Sequence, residues 1–345
     1  MAKQRIGIIK CTFDPVHDGQ IRIGLDVLDA GPADLVLMVL SESSSSGSCA
    51  SGAEDRWRML VSACASDKRL VPFRPEADRD APAGILKTAG KAFPKAELFF
   101  AAVPDQTASA VSSASSEIRL ALSGGRIPAG LNVAVREYIS CKGLYGMPGM
   151  SGEVSRWIDD LFAALNPHRF AHSLSVAFAA KRLAARHGID PLLAEQAGIL
   201  HDCAKCFPLK EMQKIAVKYA LTSDSHVLES GALLHSLVGA WVAENRYGMS
   251  DPAVLEAIAY HNTGHPGMSR LAMCVCLSDS IEPLRESYPL LERIRALAED
   301  SLEQALLLSL ESTADYVRSR GKYLHPQTED TIAWLRTLPE TQKQD

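Results

Sequence analysis

Three Asx-Pro pairs punctuate the second half of the chain: Asn166-Pro167, Asp190-Pro191 and Asp251-Pro252. An Asx side chain accepts from the free amides of a helix's first turn, and a proline there gives up no bond it would otherwise make. Each pair therefore predicts a helix start, and Ser269 predicts a fourth. Further helical stretches are expected over Tyr288 to Ala298, Ser301 to Arg320 and Gln327 to Leu338. This half is read as all helix.

The first half has a different texture. Arg5 to Ile9 is a short isoleucine-rich run, Asp34 to Leu40 reads as a second buried strand and Leu98 to Val103 as a third. Gly19 to Asp29 and Glu54 to Ala65 carry helical period. Strands separated by helices imply a parallel α/β sheet. Two stretches are expected to be loose: the Ser/Gly tract Ser41 to Gly52 and the Ser/Ala-rich Gln106 to Ser116. Gly146 to Gly152, with Pro148 inside it, reads as a linker. Two domains follow, 1–148 and 153–340, as a chain of 345 residues leads one to expect. The polar end, Pro339 to Asp345, is expected to fray.

A formal net charge of -5 gives no basic footprint for nucleic acid. No apolar run approaches the roughly 18 residues that span a bilayer, and Ile6 to Ile9 is too short for a signal peptide. A cytoplasmic protein is expected, with neither a membrane nor a nucleic-acid partner. The eight cysteines are scattered, and Cys203-x-x-Cys206 and Cys274-x-Cys276 are read as small buried hydrophobes.

The chemistry lies in six residues: His172, the doublet His201-Asp202, His235, His261 and Asp279. The doublet follows the apolar run Ala197-Gly198-Ile199-Leu200, and His235, His261 and Asp279 likewise follow apolar helical stretches. Adjacent ionisable groups inside a core are costly unless a metal or a partner satisfies them. Histidine with carboxylate suits iron, manganese or zinc. Six ligands exceed what one open catalytic metal takes from protein. They match two metals sharing a carboxylate, an arrangement used for displacement at phosphorus. His168, His187, His226 and His325 lack this context and are read as surface or loop.

The order H…HD…H…H…D resembles the HD phosphohydrolase superfamily. The local strings are more specific: Arg169-Phe170-Ala171-His172, Leu200-His201-Asp202-Cys203-Ala204-Lys205, Leu234-His235-Ser236, Tyr260-His261-Asn262-Thr263-Gly264, and Asp279-Ser280-Ile281-Glu282-Pro283 with Arg285. Together they resemble the YqeK-type bacterial symmetrical bis(5'-nucleosyl)-tetraphosphatases, over roughly Asn166 to Leu335. The resemblance implies an all-α HD domain with two metal ions, iron first, manganese or another divalent ion otherwise. It implies hydrolysis of diadenosine tetraphosphate at its centre to two ADP. The six residues would bind the metals, with Asp202 bridging. Lys205 and Arg285 would hold the polyphosphate, and Thr263 and Gly264 would border it. Asn262 and His265 depart from the family's usual residues. An HD phosphohydrolase acting on another nucleotide is the alternative, and a homo-oligomer stays open.

After the first strand comes Thr12-Phe13-Asp14-Pro15-Val16-His17-Asp18-Gly19-Gln20. This resembles the signature of nicotinate-nucleotide adenylyltransferases, which have a Rossmann-like nucleotidyltransferase fold. Asp105 and Ala114-Ser115-Ser116-Glu117-Ile118-Arg119 match as well. The implied nucleotide site is Thr12, Phe13, His17, Gln20, Ser115, Ser116 and Arg119. The departures fall on the chemistry. Lys10-Cys11 replaces paired glycines, obstructing close approach of a nucleotide to the backbone. Gln20 replaces the second histidine and carries no positive charge. The segment between Asp105 and Arg119 is shortened. A vestigial site is expected, against the alternative of a bifunctional enzyme that still serves NAD biosynthesis.

Overall fold

The computed structural model describes residues 3–41, 49–75 and 81–339. The Ser41 to Gly52 tract therefore falls largely outside the described residues, as do residues 340–345. By internal contacts the chain divides into Met1–Arg156 and Trp157–Asp345.

The first unit holds a four-stranded parallel sheet. Its strands are β1 (Arg5–Cys11), β2 (Leu35–Leu40), β3 (Leu70–Phe73) and β4 (Glu97–Phe100), in the order β3-β2-β1-β4. Helices α1 (Asp18–Asp29), α2 (Ala53–Cys64), α3 (Pro82–Ala92), α4 (Asp105–Ser123) and α5 (Val133–Lys142) accompany it. Ile6 and Ile8 of β1 and Leu37 and Val39 of β2 share one face and pack on Ile85 and Ala89 of α3. Strands buried on both faces read as continuous apolar runs, which is why β1 and β2 stand out in the sequence.

Two expectations need correction. Gln106 to Ser116 is not loose but lies inside α4. Alanine and serine allow helix, and Ser115, Ile118, Ala121 and Leu122 supply a spaced buried stripe. The strand expected at Leu98 to Val103 is shorter, Glu97–Phe100, and is the fourth in sequence. The third, β3, is only four residues long and contains Pro72.

The second unit is helical. Helix α6 (Gly152–Ala164) contains the division between the units. There follow α7 (Pro167–Arg186), α8 (Pro191–Leu200), a short 3-10 turn (Cys203–Cys206), α9 (Leu209–Lys218), α10 (Ser225–Glu229) and α11 (Gly231–Asn245). The rest are α12 (Pro252–Tyr260), α13 (Arg270–Ile281), α14 (Leu291–Asp300), α15 (Leu302–Ser319) and α16 (Pro326–Leu335). The expected caps form. Asn166 accepts from Arg169 N at 3.0 Å, Asp190 from Leu192 N at 2.8 Å, Asp251 from Ala253 N at 2.8 Å and Ser269 from Ala272 N at 3.1 Å. Each is worth about 1 kcal/mol.

Helix α13 is apolar almost all round, from Leu271 to Leu277, and is buried accordingly. It packs on α7, α8, α12 and α15. Cys203, Cys274 and Cys276 are free and buried, while Cys206 is half-buried. No helix among the described residues is long and apolar enough to cross a membrane.

Candidate metal centre

The helices deliver their polar residues near their ends. His172 lies in the second turn of α7 and His235 in the second turn of α11. His201 and His261 are the residues just past α8 and α12, and Asp279 is in the last turn of α13. These ends converge. The ring centroids of His172 and His201 are 5.3 Å apart, those of His201 and His261 5.0 Å, and those of His235 and His261 5.0 Å.

Two overlapping ligand sets result: His172, His201 and Asp202, and Asp202, His235 and His261. Asp202 belongs to both, one oxygen to each. Its Oδ1 lies 3.2 Å from His235 Nε2 and 3.8 Å from His261 Nε2; its Oδ2 lies 3.9 Å from His201 Nε2. His172 Nε2 is 3.0 Å from Asp279 Oδ1.

The ring orientations are fixed from behind. His201 Nδ1 meets Gly198 O at 2.7 Å, His261 Nδ1 meets Ile258 O at 2.8 Å, and His235 Nδ1 meets Gly231 O at 3.2 Å. A carbonyl only accepts, so each Nδ1 carries the proton and a neutral ring turns a lone pair inward at Nε2. The Nε2 atoms of His235 and His261 then face each other at 3.0 Å. Two lone pairs at that distance repel unless a cation shares them. His201 Nε2 is buried and has no hydrogen-bond partner among the described residues. Buried polar atoms are rarely left so, and the donor set fits a metal.

The electrostatics point the same way. Burial holds His235 and His261 down to about 4, so both are neutral near pH 7. Burial also opposes charge on Asp202, yet His201 and His235 outweigh it and keep the carboxyl well below the usual range. Burial likewise opposes a proton on His172, but the carboxylates of Asp279 and Glu282 win and raise it to about 9. A stability prediction follows for the metal-stripped chain. Neutral His235 and His261 contribute fully above about 6.5, their unfolded value, and are lost as pH falls toward 4. Protonated His172 contributes below about 6.5 and is lost as pH rises through 9. Thermal unfolding of stripped protein should peak between these limits and fall more steeply on the acid side, where burial makes His201, His235 and His261 all resist protonation. A Tm flat from pH 4 to 9 would contradict this.

Cations rim the site. Lys205 Nζ lies 4.0 Å from Asp202 Oδ1, and Arg285 Nη1 lies 3.9 Å from Asp279 Oδ1. Two participants were missed in the sequence. Arg169 Nη1 donates to Asp202 Oδ2 at 3.1 Å. Glu282, buried, meets His172 Nδ1 at 3.1 Å. The only sequence signal for Glu282 was a carboxylate three positions after Asp279. Such a partner orients a ligating ring, and its loss typically costs ~10–100-fold in metal affinity. Glu282→Gln is expected to weaken metal binding by that much, read by competition with a chelator. Thr263 and Gly264 follow His261 after Asn262, but their bonds lie elsewhere: Thr331 Oγ1 donates to Thr263 O at 3.3 Å.

A profile of the HD domain matches residues 169–284. A symmetrical bis(5'-nucleosyl)-tetraphosphatase from Bacillus subtilis is 37% identical over 172 residues, covering 50% of this chain and 91% of the relative. The chain belongs to the HD-domain symmetrical bis(5'-nucleosyl)-tetraphosphatase family. It carries that family's hydrolase domain in its second half and an additional α/β unit before it. A crystal structure from Clostridium acetobutylicum, described as a "predicted HD superfamily hydrolase involved in NAD metabolism", superposes with a TM-score of 0.52 at 34% identity, covering 55% of this chain and 99% of that one. A probable nicotinate-nucleotide adenylyltransferase from Corynebacterium glutamicum is 35% identical over 114 residues, covering 32% of this chain and 52% of the relative. The N-terminal part is the part that resembles such proteins.

In that unit the structure gathers the seven sequence-derived positions at one end of the sheet and joins most of them to each other. His17 caps α1, and its Nε2 meets Ser115 Oγ at 3.1 Å. Gln20 accepts from His17 N at 3.1 Å and donates to Cys11 Sγ at 3.0 Å. Arg119 donates to Asp14 O at 2.5 Å and to Ser116 Oγ at 3.1 Å. Thr12 O accepts from Arg56 at 2.8 Å, and Phe13 is fully buried with φ of 49°. A cavity of about 670 Å³ opens beside His17, between α1 and α4.

Proposed function

We propose that the second unit hydrolyses diadenosine tetraphosphate symmetrically, water adding across the central anhydride to give two ADP. The observation that carries this reading is Asp202, whose two oxygens each face a different ligand set. His172, His201, Asp202, His235, His261 and Asp279 would hold two metal ions, Asp202 shared between them, with iron the first choice and manganese or another divalent ion the alternative. Bound there, such a pair activates water at neutral pH and offsets charge on the attacking and leaving oxygens. The chain's own residues do the rest. Lys205, Arg285 and Arg169 present cations to the polyphosphate and to charge that builds in the transition state. Asp202 stays ionised at neutral pH, so that carboxylate needs no proton removed before it binds. Thr263 and Gly264 border the polyphosphate.

The test is turnover of diadenosine tetraphosphate by the purified full chain, with products separated by chromatography and metal measured on the same sample. ADP as the sole early product, with about two metals per chain, is expected. AMP with ATP would overturn symmetrical cleavage, and no turnover by metal-loaded protein would assign the site to another nucleotide.

We infer that the first unit is a shortened Rossmann-like nucleotidyltransferase domain that has lost transfer. Gln20 supports this, since its amide is committed to Cys11 and to the cap of α1. The full chain supplied with nicotinate mononucleotide and ATP should form no dinucleotide; appreciable formation would favour the bifunctional reading.

A further inference from the structure

The two ligand sets are held in different ways. His172, His201 and Asp202 stand on α7 and just past α8. Asn166 and Asp190 cap those helices, which cross backbone to backbone: a Cβ built on Gly198 would lie 2.6 Å from Ala177 Cα. His235 and His261, which share Asp202 in the other set, stand on α11 and just past α12. These helices meet less closely, since a Cβ on Gly239 would meet only a side-chain methyl of Ile258 there, at 3.4 Å. The start of α11 also lacks a side-chain cap, because Ser230 makes no such bond. The brace from His235 Nδ1 to Gly231 O, 3.2 Å, is longer than those of His201 and His261.

One side chain offsets this weakness. Asn262 Nδ2 donates to Ala232 O. Asn262 directly follows His261, and Ala232 directly follows Gly231, whose carbonyl orients His235. The bond therefore joins the neighbour of one ligand to the neighbour of the other ligand's brace. Two neutral rings that turn their Nε2 lone pairs on each other at 3.0 Å repel, and the repulsion pushes the two helix ends apart. A tie across that gap keeps the rings converged, so less ordering remains to be done when an ion binds. Asn262 is half-buried, so truncating it opens no core cavity.

We propose that Asn262 is the positioning residue of the ligand set formed by Asp202, His235 and His261, and that the centre is asymmetric in this respect. The ion of that set depends on the tie; the ion at His172, His201 and Asp202 does not. This rests on the reading of the second unit as a two-metal centre.

The experiment strips the full chain of metal, reloads it with manganese(II) and measures the affinity of each equivalent by competition with a chelator. Wild type should bind about two equivalents. In Asn262→Ala one equivalent should weaken about 10- to 100-fold, as for other groups that orient a ligand from behind, while the second is held as in wild type. Asn262→Leu, close in shape but without a donor, should match it. Glu282→Gln acts through His172 and should weaken the other equivalent. Combining Asn262→Ala with Glu282→Gln should then weaken both, the two losses adding because they fall on different ions. A double variant that keeps one tight equivalent would place both residues behind the same ion and overturn the proposal. So would an Asn262→Ala chain that holds both equivalents as wild type does, or that loses both alike. A single equivalent in the wild type overturns the two-metal reading and the asymmetry with it, and that outcome is read from the wild type alone.

Discussion

Asp202→Ala is expected to lower hydrolysis about a thousandfold or more and to lower bound metal in the same preparation. The size follows from the role. Metal stabilisation of a phosphoryl transition state is worth several kcal/mol, and each 1.36 kcal/mol is a factor of ten. Asp202 is the one residue common to both ligand sets, so its removal weakens both at once. It also leaves His235 and His261, with lone pairs 3.0 Å apart, without the carboxylate between them and Lys205. The measurement is kcat/KM together with metal per chain, with circular dichroism to confirm an intact fold. A folded variant that keeps both metal and rate would remove Asp202 from the centre. Asp202→Asn is the sharper control, since it keeps the shape while removing the charge and one of the two acceptor oxygens.

Gly198→Ala should unsettle the same centre from the packing side. A Cβ at Gly198 would lie 2.6 Å from Ala177 Cα and 2.9 Å from Ala177 N, both backbone atoms of α7. Nothing flexible is there to give way, so α7 and α8 must part. Alanine favours helix over glycine by about 1 kcal/mol. Overpacking a tight contact costs about 1–3 kcal/mol, and a backbone neighbour places this site at the upper end. The net expectation is destabilisation of about 1–2 kcal/mol, or several degrees in Tm. Valine, which adds bulk without that propensity gain, should do worse. Helix α7 carries His172, and Gly198 O orients His201. Metal affinity should therefore fall with stability. An alanine variant as stable and as tightly metallated as wild type would contradict the close crossing.

Much of the second unit was legible because its signals are local. A capping Asx before proline needs no tertiary partner, and the cap and the start of each helix coincide. The apolar runs before His201, His235, His261 and Asp279 announced burial, and all but Asp279, which keeps part of its side chain exposed, are buried. Glu282 and Arg169 were not legible as participants, because an acid at a helix end and a base in a first turn are ordinary surface residues until folding brings them to His172 and Asp202. In the first unit β3 was missed because four residues with a central proline give too little pattern. Helix α4 was missed because Ser/Ala composition fits a loop as well as a helix. Its buried stripe emerges only toward Ile118 and Leu122.

The converging helix ends have one more consequence. The proposed ligands stand far apart along the chain, from His172 to Asp279, and are fastened near the termini of five helices, α7, α8, α11, α12 and α13. An ion that gathers them ties those termini together, so it works as a removable cross-link. Loops that the unfolded chain would leave open are closed, and the closure tightens the bundle in proportion to the logarithm of free ion concentration. Metal supply then sets the lifetime of the folded chain as well as its turnover. A cell short of the ion would hold fewer copies of this protein, not merely the same number of idle ones.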